Sequence, residues 1–280
     1  MADAYLKIAY AQTNPVFGEV KANVEEAMDL IQRVEADIVV LPELFNTSYS
    51  FLNREEVKRL AEVIPDGYTS RILLEESERQ KKTIVAGLAE RAGEALYNTA
   101  ILFSKGKLLG LYRKIHLFNR EKVLFNRGDT QPKVFTVDGV RISMLICFDW
   151  LFPEIWRVLA LKGAEIIAHP SNLVLPNYCQ IAMLARSFEN HIYTITANRV
   201  GEEKRGEYHL RYTGRSQIVS PRMDILVSAP EDQVECKAVE VNINLARNKK
   251  VTELNDIFKD RRPKFYKFLT KPIYLTKPSS

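Results

Sequence analysis

The chain has 280 residues, 46% of them hydrophobic and 27% charged, the balance of an ordinary globular protein. This excludes a disordered, collagen-like or disulfide-stapled chain, and no apolar run reaches the roughly 18 residues that a membrane-spanning helix needs. A net charge of +5 is the unusual figure and raises a nucleic-acid partner as a question.

In chain order, residues 6–12 read as a first strand. Val24, Ala27, Met28, Ile31 and Val34 then recur at helical spacing, predicting an amphipathic helix over 21–35 that leads into a strand over 36–42. A helix over 70–82, a strand over 83–89 and a hairpin of 98–104 with 108–112, turning at Lys105-Gly106, complete a first half. The plan then repeats. Strand 140–146, helix 153–162 with Pro153 in its first turn, strand 164–170, helix 178–191, strand 193–200 and a hairpin of 215–220 with 225–228 form the second half.

Strands 36–42 and 164–170 align residue for residue at an offset of 128. Two β-α-β-α-β-β-β halves, about 5–130 and 135–245, each predict a mixed sheet with helices on one face. Strands this apolar require burial on both faces. The expected fold is therefore α/β, a four-layer αββα sandwich with an internal pseudo-two-fold, forming a single domain over 5–245. No Gly/Ser-rich or Pro-rich linker separates the halves.

Charge is concentrated at the C-terminus. Residues 246–280 hold ten Lys/Arg against three acids, +7, which leaves −2 for residues 1–245. Phe258, Phe265, Tyr266, Phe268 and Tyr274 interleave with this charge, and Pro263, Pro272 and Pro278 interrupt it. Packing along its own or a neighbouring subunit's surface is the expectation for this segment, rather than binding of nucleic acid. The three cysteines, Cys147, Cys179 and Cys236, are too widely spaced for a zinc site or a disulfide framework, so no metal is expected. The first residues lack a signal-peptide pattern, and a reducing cytoplasm is the expected compartment.

Reactive side chains follow the predicted strands, where a rigid sheet aims them into one crevice. Glu43 follows Ile38-Val-Val-Leu-Pro42, Lys114 follows strand 108–112, and Cys147 follows Ile142-Ser-Met-Leu-Ile146. An apolar setting raises the proton affinity of a carboxylate and suits Glu43 to act as a base. A thiol, a proton acceptor and a cation together permit nucleophilic attack with oxyanion stabilisation. No GxSxG, P-loop, GxGxxG or HExxH motif occurs. A Cys-His pair is the competing chemistry, with His169 the best placed of His116, His169, His191 and His209. Asp149, Trp150 and Glu154 also read as helix-start residues.

Leu41-Pro-Glu43, Arg113-Lys-Ile-His-Leu117 and Ile146-Cys-Phe-Asp-Trp-Leu-Phe-Pro-Glu154 together resemble the three motifs of the nitrilase superfamily of carbon-nitrogen hydrolases, in the same order across about 5–245. The resemblance implies the αββα sandwich and a homodimer or dimer-based oligomer formed through helices beside the site, with the basic tail reaching over the partner. It also implies a second glutamate, at Glu121. The implied chemistry is cysteine-dependent release of ammonia from a small aliphatic amide through a thioester, with no cofactor. An aliphatic nitrile or an N-carbamoyl amine are the alternatives. Tyr49, Phe118, Phe148, Trp150, Phe152 and Asn172 are the expected substrate-binding residues. The non-enzyme alternative is a catalytically silent dimeric scaffold that binds through its tail.

Overall fold

A computed structural model describes residues 4–272. The first half runs β1 (Tyr5–Gln12), α1 (Val20–Arg33), β2 (Ile38–Val40), α2 (Arg54–Leu60), α3 (Tyr68–Arg79), β3 (Thr83–Ala92), β4 (Ala95–Ser104) and β5 (Lys107–Arg113). A short α4 (Glu121–Leu124) and β6 (Phe135–Val137) lead into the second half. That half contains β7 (Val140–Met144), α5 (Pro153–Leu161), β8 (Ile166–Pro170), α6 (Tyr178–Asn190), β9 (Tyr193–Ala197), β10 (Glu202–Arg205), β11 (Tyr208–Arg211), β12 (Gln217–Val219) and β13 (Ile225–Ser228). Strand β14 (Glu235–Asn242) and α7 (Asn244–Arg247) follow.

Local chemistry accounts for the main boundaries. Helix α1 buries Val24, Ala27, Met28 and Ile31 along one face and ends where Val34 turns extended. Each such buried Val, Ile or Met contributes about 1.5–3 kcal/mol relative to exposure. Pro153 opens α5 at the position where its missing N–H costs nothing. The β4–β5 turn places Lys105 and Gly106 both at positive φ, the backbone that matches the twist of a tight hairpin.

The two sheets have the same order. The first is β14-β1-β2-β3-β4-β5 and the second is β6-β7-β8-β9-β12-β13. In each, three parallel strands come first and an antiparallel pair extends one edge, while β14 and β6 lie antiparallel on the other edge. The sheets face each other, with β1 packing on β9 and β12, β2 on β8 and β9, and β3 on β8. Helices α1 and α3 cover the first sheet, and α6, with α5 against it, covers the second. The result is an αββα sandwich. Its central strands β2 and β8 are buried on both faces, which explains the apolar runs Ile38-Val-Val40 and Ile166-Ile-Ala168.

Several features depart from the sequence expectation. Helix α2 and the β10–β11 hairpin are additional. The expected strand over 215–220 is only Gln217–Val219, and its turn is wider, closed by Ser220 N–H donating to the Asp224 carbonyl with Met223 at positive φ. Strand β14 is also additional, and it pairs along its whole length with β1, so the end of the second half completes the first sheet. Its alternating polar residues mark a half-exposed edge strand, and such a pattern does not say which sheet it joins.

The chain divides into two compact units between Asn248 and Lys249. In the second unit Lys250 and Asp256 form a β-bridge, and the Asp256 carboxylate accepts from the N–H groups of Phe258 and Lys259. Two short turns, Pro263–Phe265 and Lys267–Thr270, follow, with Phe265, Phe268 and Leu269 exposed. Tyr274, Lys277 and Pro278 of the expected basic segment lie outside the described residues.

Candidate active site

Each of the three reactive groups sits just past a strand, and close backbone packing holds each in place. Beyond β2 the chain stays on the sheet through Leu41, whose N–H donates to Val85, and then turns away at Pro42-Glu43. The turn depends on Gly87, because a Cβ there would lie 2.5 Å from Glu43 Cα. Lys114 follows β5 directly. Its N–H donates to the Asn98 carbonyl at 2.8 Å and its carbonyl accepts from Gly128, where a Cβ would meet the Arg113 carbonyl at 2.1 Å. Cys147 has φ +41° and opens a 3-10 turn over Cys147–Leu151. The first hydrogen bond of that turn is Asp149 N–H to the Ile146 carbonyl, so the Phe148 N–H precedes the bonded ladder.

Side chains from these positions form a fully buried polar cluster. Lys114 Nζ donates to Glu43 Oε1 at 2.7 Å and to Glu121 Oε1 at 2.8 Å. Glu121 also accepts from Tyr49 OH at 2.7 Å and, through Oε2, from the Phe118 N–H at 2.9 Å. Asn98 Nδ2 donates to Glu43 Oε1 at 2.6 Å, whereas Glu43 Oε2 has no partner among the described residues. Burial lifts the Glu43 carboxyl to about 7, although Lys114 opposes the shift. Burial would lower Lys114, but Glu121 and Glu43 outweigh it and keep the ammonium charged. Burial and then Glu43 push the Cys147 thiol well above its ordinary range, so it rests protonated. Its Sγ lies 3.7 Å from the Asn172 carbonyl. Asn172 Nδ2 donates to the Glu43 carbonyl at 2.8 Å, which fixes the amide orientation and leaves Oδ1 buried without a partner among the described residues.

A second network lies beneath the Cys147 turn. The buried Asp149 carboxylate accepts from the Ile146 N–H and from Tyr112 OH, both at 2.8 Å, and meets His116 Nδ1 at 2.7 Å. Tyr112 OH in turn accepts from the Ile115 N–H. Asp149 thus ties the segment around Lys114 to the segment around Cys147. His169 does not face the thiol as a Cys-His pair requires. Its Nε2 lies 2.8 Å from the Cys147 carbonyl, so it donates there, and burial lowers it to about 4, which keeps it neutral. His116, His191 and His209 are engaged with Asp149, the Asn248 carbonyl and Glu202.

The cluster borders a cleft in two connected parts that share Phe118, Asn172 and Val174. Cys147, Phe148, Trp150 and Leu175 line the inner part. Tyr49 and Glu121 line the outer part, a small cavity of about 60 Å³. Phe152 is the exception among the expected substrate-binding residues. It stacks on His116 with ring centroids 3.7 Å apart and meets Phe148 edge-on, so it supports the wall from behind.

The outer wall also holds Tyr208 and Leu210 of β11, which the sequence reading missed. Glu203 of β10 anchors this hairpin by accepting from Ser50 and Tyr212 and, in the segment after Glu43, from Ser48. Asn98 was missed as well. Its one available signal is a polar residue just before the apolar run Ala100-Ile-Leu-Phe103 of the expected strand.

A duplicated αββα sandwich with a thiol, a carboxyl and an ammonium gathered at its strand ends is the frame of a hydrolase. The carbon-nitrogen hydrolase family model matches residues 7–250, and the chain belongs to that family, within the nitrilase superfamily. It is 47% identical over 264 residues to a protein named Nitrilase from Pyrococcus abyssi (strain GE5 / Orsay), covering 93% of this chain and 99% of that one. It is 30% identical over 267 residues to 2-oxoglutaramate amidase of Bacillus subtilis (strain 168), covering 92% and 98%. A carbon-nitrogen hydrolase from Helicobacter pylori G27 shares the fold with a TM-score of 0.86 at 24% identity, covering 96% and 99%. No helix among the described residues is long and apolar enough to cross a membrane.

Proposed function

We propose that the protein hydrolyses a small, uncharged aliphatic amide to ammonia and a carboxylic acid through a thioester on Cys147. The observation that carries this reading is the state of Glu43. One carboxylate oxygen is held by Lys114 and Asn98, the other is buried with no partner among the described residues, and the group ionises near neutrality. Glu43 takes the Cys147 proton as sulfur attacks the carbonyl carbon. Lys114 Nζ and the Phe148 N–H then hold the oxyanion. Glu43 returns the proton to the departing nitrogen as the C–N bond breaks, and ammonia leaves. Water that gives a proton to Glu43 attacks the thioester, the tetrahedral adduct collapses to the acid as the C–S bond breaks, and Glu43 returns that proton to the departing Cys147 sulfur. Glu121 holds Lys114 in place without transferring a proton.

The cleft supports the choice of substrate. A primary amide brings two N–H donors, and Glu43 Oε2 and Asn172 Oδ1 are acceptors without partners among the described residues. Phe118, Phe148, Trp150, Val174 and Leu175 favour a short apolar acyl group. An N-carbamoyl amine with a cationic end would need a free carboxylate. The acid lining the cleft among the described residues is Glu121, whose oxygens are already engaged. A nitrile is the second reading, favoured by the name of the Pyrococcus relative.

An ammonia-release screen over amides, nitriles and carbamoyl amines, with intact-mass detection of the acyl adduct, tests this reading. Amides are expected to react and Cys147→Ala to lose at least about 10⁴-fold in turnover together with the adduct. Absence of both signals across all three classes in the wild type sinks the enzyme reading in favour of a silent scaffold.

We infer a homodimer through α5 and α6, which expose Val158, Leu161, Tyr178, Ile181 and Phe188. The basic tail would extend over the partner rather than bind nucleic acid, and the protein would work in the cytoplasm. Light scattering should show a dimer that Ile181→Asp dissociates. A monomeric wild type would reject the interface.

A further inference from the structure

We propose that Asn98 is a positioning residue that joins Glu43 to Lys114 and selects which oxygen of Glu43 exchanges protons with Cys147. Asn98 sits in β4, opposite Ala89 of β3, and is buried. Its carbonyl accepts the Lys114 N–H at 2.8 Å, so its main chain sets where the lysine leaves the sheet. Its side chain donates to Glu43 Oε1 at 2.6 Å, onto the same oxygen that Lys114 Nζ reaches at 2.7 Å. One rigid strand residue thus ties together two groups from different loops.

The consequence is an asymmetric carboxylate. Oε1 carries two donors, and a proton placed there would oppose both. Oε2 carries none among the described residues, so it is the oxygen open to the thiol proton. Asn98 also favours the ionised form of Glu43, because its N–H donates to the carboxylate. The other groups acting on Glu43 are the Lys114 ammonium, the Glu121 carboxylate and the Cys147 thiol. Tyr49 is bonded to Glu121. The apparent midpoint therefore belongs to the cluster, and the Asn98 donor is one contribution to it.

This inference rests on the proposed roles of Glu43 and Cys147, and its test is separable from them because it needs no knowledge of the substrate. The rate of Cys147 alkylation by iodoacetamide is followed by peptide mass spectrometry from pH 5 to 9 in the full-length protein, with Cys147→Ala as the blank. The wild-type rate is expected to rise with a midpoint near neutrality. If wild-type Cys147 shows no such rise, the roles of Glu43 and Cys147 fail, and Asn98 has nothing to position.

Asn98→Ala removes a hydrogen bond to a charged group and is expected to move the midpoint up by about one to two pH units. Asn98→Asp keeps the shape, guards against a cavity effect in the first variant, and places a second carboxyl against Glu43. Its midpoint should move up at least as far. A wild-type rise near neutrality with unmoved midpoints in folded variants, whatever their amplitude, overturns the proposal.

Discussion

The two halves share a frame, and one backbone contact that differs between them explains why Glu43 leaves the first sheet where it does. In the first sheet Ile38 lies beside Thr83, and in the second Ile166 lies beside Tyr193, so Gly87 of β3 corresponds to Ala197 of β9. In the second half the ladder runs on, and the Ser171 N–H donates to the Ala197 carbonyl. In the first half the Gly87 N–H turns to the Pro42 carbonyl, and the chain crosses directly over it, bringing Glu43 Cα where a methyl group would stand. The position equivalent to Glu43 is Ser171, which stays with its strand. A duplicated fold thus became an asymmetric site. The first half supplies the acid and the ammonium, the second supplies the thiol and Asn172.

Removing the cation tests this division most severely. Lys114→Met leaves Glu43 and Glu121 facing each other without compensation, and a cost of about 3–5 kcal/mol is expected in urea unfolding. Turnover should fall with it, and a stable, active variant would remove Lys114 from the site. Gly87→Ala comes next. It should cost about 1–3 kcal/mol through overpacking and reduce turnover by about 10²-fold through displacement of Glu43. Its counterpart Ala197→Gly is expected to cost about 1 kcal/mol and leave turnover within a few fold. Equal effects from the two substitutions would break the contrast between the halves.

A further effect concerns pH. Glu43 holds its proton up to about 7 in the folded protein, whereas an ordinary carboxyl releases it near 4.5. The folded state therefore binds more protons across this interval, and Glu43 subtracts stability as pH rises through it. Relative to wild type, Glu43→Gln should gain up to about 3 kcal/mol between pH 4 and pH 8, read from thermal or urea unfolding at each pH. A difference that is flat with pH would mean that Glu43 ionises normally.

Periodicity located α1, α5, the buried strands and both hairpins because hydrophobic spacing is a local property of the chain. The offset of 128 between β2 and β8 revealed the duplication for the same reason. The order of Glu43, Lys114 and Cys147 after three strands was also legible, since strand ends are marked by where the apolar runs stop. Strand β14 was not, because an alternating edge strand can join either sheet and only long-range pairing with β1 decides it. The pairings at Asn98, Asn172 and Glu203 were hidden too. Each links residues from different elements, and a sequence shows a buried amide or acid without its partner.

The sequence by itself determined the αβ repeat, the carbon-nitrogen hydrolase family and the three strand-end groups. Tertiary structure decided the rest. It set which Glu43 oxygen is free, turned His169 to a carbonyl rather than the thiol, moved Phe152 behind the wall and brought the β10–β11 hairpin over the cleft. The physical reason is range. Hydrophobic burial follows local patterns along the chain, whereas the hydrogen bonds that set proton affinity and orientation form between atoms brought together only when the two sheets close on each other.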